Sequence, residues 1–151
     1  MLIESDVKAQ DSLRNEFKKL GYRVLITNNP ERGMSRFEDL DPAEETPAHC
    51  VIFSAKGLGS QALQAFEAFA LAEDTATLPA ILMVPAKLQG KVKSDLLNDR
   101  RVVLPIPFKM SHLRNKLMAV LNPISESDDS QTISDEATLP ENRPEKDTDT
   151  E

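Results

Sequence analysis

One stretch, Cys50-Val51-Ile52-Phe53-Ser54, decides the fold of this 151-residue chain. Four residues of buried type precede a single hydroxyl, and a loop over residues 55–59 follows. An apolar run without polar alternation is typical of a parallel strand that helices cover on both faces. The stretch therefore predicts the central strand of an open α/β sheet. Such sheets bind ligands outside the carboxyl ends of their strands, so Ser54 stands where a functional group is expected.

Short apolar runs and amphipathic segments alternate on either side of this strand. The predicted strands span residues 1–5, 22–27, 50–54, 80–84 and 102–104. Three predicted helices span residues 60–72, 91–99 and 111–121, the last capped by Ser111. Two more begin at Asp6, read as an N-cap, and at Asn29-Pro30, an N-cap followed by proline at the first helical position. Five strands alternating with five helices predict a doubly wound α/β sandwich.

Charge divides the chain unevenly. The formal net charge is −7, yet residues 123–151 carry −8 and residues 85–122 carry +6. The segment 123–151 is rich in Ser, Asp, Glu, Thr and Pro and has little apolar surface to bury. We therefore expect a folded domain over residues 1–122 and a disordered acidic tail over residues 123–151.

The single cysteine, Cys50, excludes an internal disulfide and gives no sign of an oxidising compartment. It is predicted to be an inert buried thiol. No apolar run approaches the roughly 18 residues of a membrane span, and no secretory leader pattern opens the sequence. The sequence predicts a soluble, cytoplasmic protein that does not bind membranes.

The order of strands and helices, together with the ending Val103-Leu104-Pro105-Ile106-Pro107-Phe108, resembles the receiver domain of bacterial response regulators. The resemblance covers residues 1 to about 121. It implies a five-stranded parallel sheet in the order 2-1-3-4-5 with helices on both faces. It also implies a place in two-component or phosphorelay signalling, where receivers accept a phosphoryl group on an aspartate that ends the third strand.

The positions that carry this chemistry in the family are changed here. The acidic cluster that ends the first strand matches Glu4, Ser5 and Asp6, and the phosphoacceptor matches Ser54. The hydroxyl residue that ends the fourth strand matches Pro85, and the conserved lysine matches Ile106. Only Pro107, whose bond to the preceding residue is usually cis in the family, and the following Phe108 are kept.

Each change removes a requirement of phosphoryl transfer. Mg²⁺ wants about six oxygen ligands, mainly carboxylates, and Glu4 alone remains of the three expected. A serine hydroxyl without an adjacent base is a poor nucleophile, and Ile106 offers no cation to the phosphoryl oxygens. We therefore expect a degenerate receiver that is not an enzyme, holds no metal or cofactor and acts by protein contact.

Several alternatives stay open at this point. Ser54 is interpreted either as a structural hydroxyl at the strand end, bonded to a backbone amide, or as the target of a Ser/Thr kinase. The glycines Gly57 and Gly59 allow a backbone nest that holds a small anion beside it. The whole chain is alternatively a phosphorylatable receiver with an unconventional acceptor, or a flavodoxin-like nucleotide-binding protein.

The resemblance also implies a docking face on the fourth helix, fifth strand and fifth helix. The basic residues on those predicted elements are Lys91, Lys93, Arg100, Arg101, Lys109, Arg114 and Lys116. The expected partner is a protein in trans, a kinase or a regulator, or a second copy of the chain. Nucleic acid is not expected, because the face has one aromatic residue, Phe108, for base stacking. A further hypothesis is that the acidic tail competes with an acidic partner for this face.

Overall fold

The computed structural model describes residues 1–38, 43 and 45–122. Its five strands are β1 (Leu2–Ile3), β2 (Ile26–Thr27), β3 (Val51–Ser54), β4 (Ala80–Pro85) and β5 (Arg101–Ile106). Its helices are α1 (Val7–Lys19), α2 (Pro30–Ser35), α3 (Ala55–Leu58), α4 (Ser60–Leu71), α5 (Ala86–Gln89) and α6 (Met110–Leu121), with a 3-10 turn at Ser94–Leu96. The predicted tail, residues 123–151, lies outside the described residues.

All strand pairs are parallel, and the sheet order is β2-β1-β3-β4-β5. This confirms the predicted architecture. Every residue of β3 is buried because alternate side chains enter two different cores. Val51 and Phe53 join the core that packs beneath α4, whereas Ile52 joins the core beneath α1 and α6. Both faces of the strand are therefore apolar, which is why its sequence shows no alternation.

Aromatic packing holds α4 on the sheet. Phe53 of β3 contacts Phe66 and Phe69 of α4 edge to face, with ring centroids 5.7 and 5.5 Å apart. Phe69 contacts Phe37 in the same way at 5.6 Å. Edge-to-face pairs at such distances are favourable beyond the area that they bury. The packing fixes α4 over the strand whose carboxyl end carries Ser54.

The predicted helix over residues 91–99 is wrong. The connection from β4 to β5 instead contains the single turn α5 and the 3-10 turn at Ser94–Leu96. Ser94, Asp95 and Asn98 hydrogen-bond readily to nearby backbone and so favour turns over a helix interior. The Asn98 side chain does so here, because its Oδ1 accepts from the backbone amides of Arg100 and Arg101.

The side chain of Arg101 stabilises the same connection with two hydrogen bonds. Its Nε donates to the carbonyl of Leu96 at 2.6 Å, and its Nη1 donates to the carbonyl of Ala76 at 2.7 Å. These bonds hold the 3-10 turn against the segment that leads into β4. The side chains of Arg101 and Asn98 thus stabilise the connection in place of the predicted regular helix.

Smaller corrections concern element ends. The loop predicted over residues 55–59 is a helical turn, α3, that starts directly after β3. The second strand has only two paired residues, not the six predicted. The last helix begins at Met110, so Ser111 lies within it and is not its cap. The cap at Asn29 is confirmed, because its Oδ1 accepts from the amide of Arg32 at 3.2 Å. No helix among the described residues is long and apolar enough to cross a bilayer.

Candidate functional site

The carboxyl edge of the sheet brings the predicted pocket residues together. Glu4 and Ser54 each come one residue after the paired residues Ile3 and Phe53, so they end neighbouring strands. Pro85 and Ile106 are paired directly in the ladder between β4 and β5. The Ile106–Pro107 peptide bond is cis. The residues aligned with the family's site therefore share one edge, as the resemblance implies.

Glu4 is a buried carboxylate that serves the backbone. Its side chain is almost fully buried, and its Oε2 accepts from the amide of Asp6 at 3.1 Å. Its backbone carbonyl accepts from Nε2 of Gln10 at 2.6 Å. These bonds fix the turn from β1 into α1. One of the carboxylate oxygens that a metal would need is already occupied by this turn.

Asp6 stands at the N-cap position of α1, yet its carboxylate makes no capping bond. It lies instead 3.5 Å from the ammonium group of Lys56, in a pair whose members are both partly exposed. Lys56 belongs to α3, the turn that follows β3. The ion pair thus bridges the carboxyl ends of β1 and β3. No local sequence pattern predicts this pair, since the two residues lie fifty positions apart.

The α3 turn closes on the end of β1 at a second point. A Cβ atom at Gly57 would overlap Oγ of Ser5, so only glycine allows this approach without a shift. Gly57 is inside a helical turn and packs against Ser5, and an open backbone nest for an anion does not form there. Gly59 takes φ 59° where α3 passes into α4, which a residue with a side chain rarely adopts.

Ser54 lies beneath this turn. It is fully buried, and its Oγ has no hydrogen-bond partner among the described residues. The predicted bond to a neighbouring backbone amide is therefore absent from the described part of the chain. In the described ranges no histidine, lysine or carboxylate is bonded to the hydroxyl, so no base activates it there.

The donor set does not fit Mg²⁺. No group of three or more His, Cys, Asp or Glu side chains among the described residues could hold a metal ion. Glu4 is engaged by the amide of Asp6, Asp6 is paired with Lys56, and Ser54 is neutral. Mg²⁺ bound in proteins needs near-octahedral oxygen ligands, including at least one or two carboxylates. Two cavities that described residues bound lie elsewhere, because neither is lined by Glu4 or Ser54.

Four of the seven basic residues on the predicted docking face form ion pairs or hydrogen bonds within the molecule. Lys93 pairs with Glu67 at 2.7 Å, and Arg114 pairs with Glu16 at 3.1 Å. Hydrogen bonding to Glu67 raises the pKa of Lys93. Arg100 and Arg101 donate to backbone carbonyls. Among the described residues, Lys91, Lys109 and Lys116 have no ion-pair partner, and all three are exposed.

A parallel sheet in the order 2-1-3-4-5 with helices on both faces is the arrangement of receiver and flavodoxin-like folds, and a cis peptide bond follows β5. The chain has the fold of response-regulator receiver domains, as the resemblance implies. The chain matches no protein-family model and no curated protein sequence.

Solved structures share this fold at low identity. A receiver domain of a signal transduction histidine kinase from Syntrophus aciditrophicus is 13% identical, with a TM-score of 0.62 over 88% of this chain and 96% of that one. A receiver domain of a sensor histidine kinase from Pseudomonas aeruginosa, with magnesium in its active-site cleft, is 18% identical, with a TM-score of 0.59 over 80% and 93%. An adenylate cyclase from Rhodopirellula baltica is 10% identical, with a TM-score of 0.61 over 79% and 84%.

Proposed function

We propose that this chain is a receiver-like module of a two-component or phosphorelay system that signals by protein contact and not by aspartyl phosphorylation. The observation that carries the proposal is the environment of the Ser54 hydroxyl. At the position that the resemblance aligns with the phosphoacceptor, Ser54 is a fully buried hydroxyl that has no bonded base among the described residues. A hydroxyl of this kind is too weak a nucleophile for phosphoryl transfer.

The surroundings of Ser54 support the same reading. Phosphoryl transfer is catalysed by positioning and by cationic stabilisation of the phosphoryl oxygens. Ile106 supplies no charge, and Lys56, in the turn that follows β3, is paired with Asp6 at 3.5 Å. Pro85 has no backbone N–H and no hydroxyl with which to report a bound phosphoryl group. The site thus lacks the acceptor, the cation and the sensor that the family uses.

The contact surface that we propose is the outer side of α6 and the connection before β5. Lys109, His112 and Lys116 are exposed and follow one another at helical spacings of three and four residues. They therefore form one stripe along α6. Lys91 is a further exposed base on the connection. An acidic surface on a kinase or a regulator in trans is the partner that this stripe fits.

A phosphoryl mimic tests the proposal. Beryllofluoride with Mg²⁺ binds receivers at the acceptor carboxylate, and its binding shifts amide resonances around the site. For this chain we expect no shifts at residues 4–6, 54–57 and 106 in a ¹⁵N-labelled sample. A variant with Ser5→Asp, Ser54→Asp and Ile106→Lys is the positive control. Saturable shifts in the unmodified chain, centred on Ser54, would overturn the proposal.

A photo-crosslinking residue tests the docking surface. Placed at position 116 in cells of origin, it is expected to capture an acidic protein, whereas the same residue at exposed position 8 on α1 is the matched control. Adducts at position 8 alone would show that contact occurs on another face.

A further inference from the structure

A cavity lies at the opposite edge of the sheet, where the strands begin. It has a volume of about 730 Å³ and is bounded by α1, the segment before β2, residues 45–50 and the end of α6. Its inner wall is apolar and includes Phe17, Ile52 and Leu117, all members of the core beneath α1 and α6. The cavity thus borders one end of that core, and none of its lining residues is Glu4, Ser54, Pro85 or Ile106.

Two exposed apolar side chains line the cavity. Six large hydrophobic residues of the described chain are exposed: Val7, Leu20, Tyr22, Leu25, Leu71 and Met118. Tyr22 and Leu25 line the cavity and are 37% and 40% exposed, and Leu20 adjoins its lining residue Gly21. Single exposed apolar residues are ordinary, but a group around a concave opening is typical of a binding site.

Polar groups gather at the same rim. Arg23, Thr46 and His49 line the cavity beside the apolar wall, and Glu45 is the one carboxylate there among the described residues. Arg23 has no ion-pair partner in the part of the chain that the structure describes. Pockets for small molecules commonly have a volume of about 300–1,000 Å³, apolar walls and a few convergent polar groups. This cavity has all three properties.

We propose that the cavity binds a small amphipathic anion. Its apolar body lies against Phe17, Ile52 and Leu117, and its single acidic group meets the guanidinium of Arg23. Glu45 on the rim opposes a second negative charge, so a monoanion fits better than a dianion. Burial of the apolar body supplies most of the binding free energy, because Arg23 is exposed and an exposed ion pair contributes little.

Two related fluorescent probes separate the apolar part of the site from its charge. The anion 1-anilinonaphthalene-8-sulfonate and the neutral N-phenyl-1-naphthylamine have similar ring systems. Both are expected to bind the full chain at one saturable site. Replacing Arg23 by Gln is expected to weaken the anion about threefold, in keeping with an exposed ion pair, and to leave the neutral probe unchanged.

A cavity-filling substitution locates the site. Leu121→Trp places a large ring at the end of α6, at the cavity wall, and is expected to weaken both probes at least tenfold. Leu71→Trp is the matched control, since Leu71 is exposed on α4 and does not line the cavity. Cooperative thermal unfolding by circular dichroism checks each variant, and Val24→Phe replaces Leu121→Trp if the latter does not fold.

The outcomes decide the proposal. Loss of both probes with Leu121→Trp, retention with Leu71→Trp and an anion-selective effect of Arg23→Gln support it. No saturable binding, or equal losses in the two tryptophan variants, overturns it. Equal effects of Arg23→Gln on the two probes overturn the assignment of the acidic group. A homodimer in sedimentation that Tyr22→Lys dissociates, without probe binding to the intact chain, assigns the opening to an interface between copies and also overturns it.

Discussion

Ser54 ends β3 with a hydroxyl that is buried and has no partner among the described residues. An unpaired buried donor is costly, because it gives up hydrogen bonds to water and gains none in the protein. The turn α3 holds it there, through the ion pair of Lys56 with Asp6 and the close packing of Gly57 on Ser5. The serine at this strand end is visible in the sequence. Its burial beneath α3 could not be predicted from the sequence.

The first prediction concerns this hydroxyl. Ser54→Ala is expected to raise the free energy of unfolding by about 1 kcal/mol, because the unsatisfied donor is removed at little loss of packing. Urea denaturation measures the change. The control is Ser60→Ala at the exposed start of α4, expected to stay within about 0.5 kcal/mol. A loss of stability of more than 1 kcal/mol in Ser54→Ala would show that the hydroxyl is bonded after all.

Cys50 carries the second prediction at this scale. Burial raises the pKa of its thiol to about 12, so almost no thiolate exists at pH 8. A thiol reagent such as Ellman's is therefore expected to be silent with the native protein at pH 8. It is expected to titrate one thiol, the only one in the chain, after unfolding in urea.

The same pKa gives a pH dependence of stability. The folded thiol keeps its proton above the unfolded value of 9.0, so the unfolded state releases a proton first and stability falls as pH rises from about 9 towards 12. Thermal unfolding between pH 8 and 10.5 is expected to show a steeper decline than in Cys50→Ala. Parallel declines in the two proteins, or rapid native modification at pH 8, would contradict a buried thiol.

The elements that the sequence predicted well are those whose residues are buried on both sides. β3 and β4 are fully or nearly fully buried, and the uninterrupted apolar runs of both strands were sufficient to place them. The edge strand β2 is short and its two residues are only partly buried, so the pattern over residues 22–27 overstated its length. Side-chain burial decides the reliable part of the fold, since propensity alone is weak at an edge.

The connection between β4 and β5 was not predictable from periodicity. Its conformation depends on Arg101, which lies in the following strand and donates to carbonyls of two separate segments. Lys93 depends in turn on Glu67 of α4. Contacts of this kind join residues far apart in sequence, and no local pattern contains them.

The third prediction tests this connection as a unit. Arg101→Met keeps the aliphatic stem and removes both bonds, so we expect a loss of about 2 kcal/mol in the free energy of unfolding. Amide exchange over residues 91–99 should rise at the same time. Arg100→Met is the matched control, because Arg100 is exposed and donates one long bond of 3.3 Å to Thr77. If the two variants proved equally stable, Arg101 would not organise the connection.

At the scale of the whole molecule, we propose separate roles for the carboxyl edge and the amino edge of the sheet. At the carboxyl edge Glu4, Ser54, Pro85 and Ile106 lie together, and our proposal is that this edge carries out no phosphoryl transfer. A cavity lies at the amino edge. No local sequence pattern predicted it, because its walls come from α1, α6 and the segments around β2 and β3. The overall topology was predictable because hydrophobic order fixes it, whereas the docking face stays a prediction. Four of its seven bases prove to be engaged within the molecule.

The most direct measurement is intact-mass spectrometry after incubation with acetyl phosphate and Mg²⁺, with fragment mapping of any adduct. We expect an unchanged mass, both with acetyl phosphate and after incubation with a phosphorylated histidine kinase. The triple variant Ser5→Asp, Ser54→Asp and Ile106→Lys, which restores the acids and the cation, serves as the control for reagent activity. A gain of one phosphoryl group on the unmodified chain, mapped to residues 4–6 or to Ser54, would contradict it.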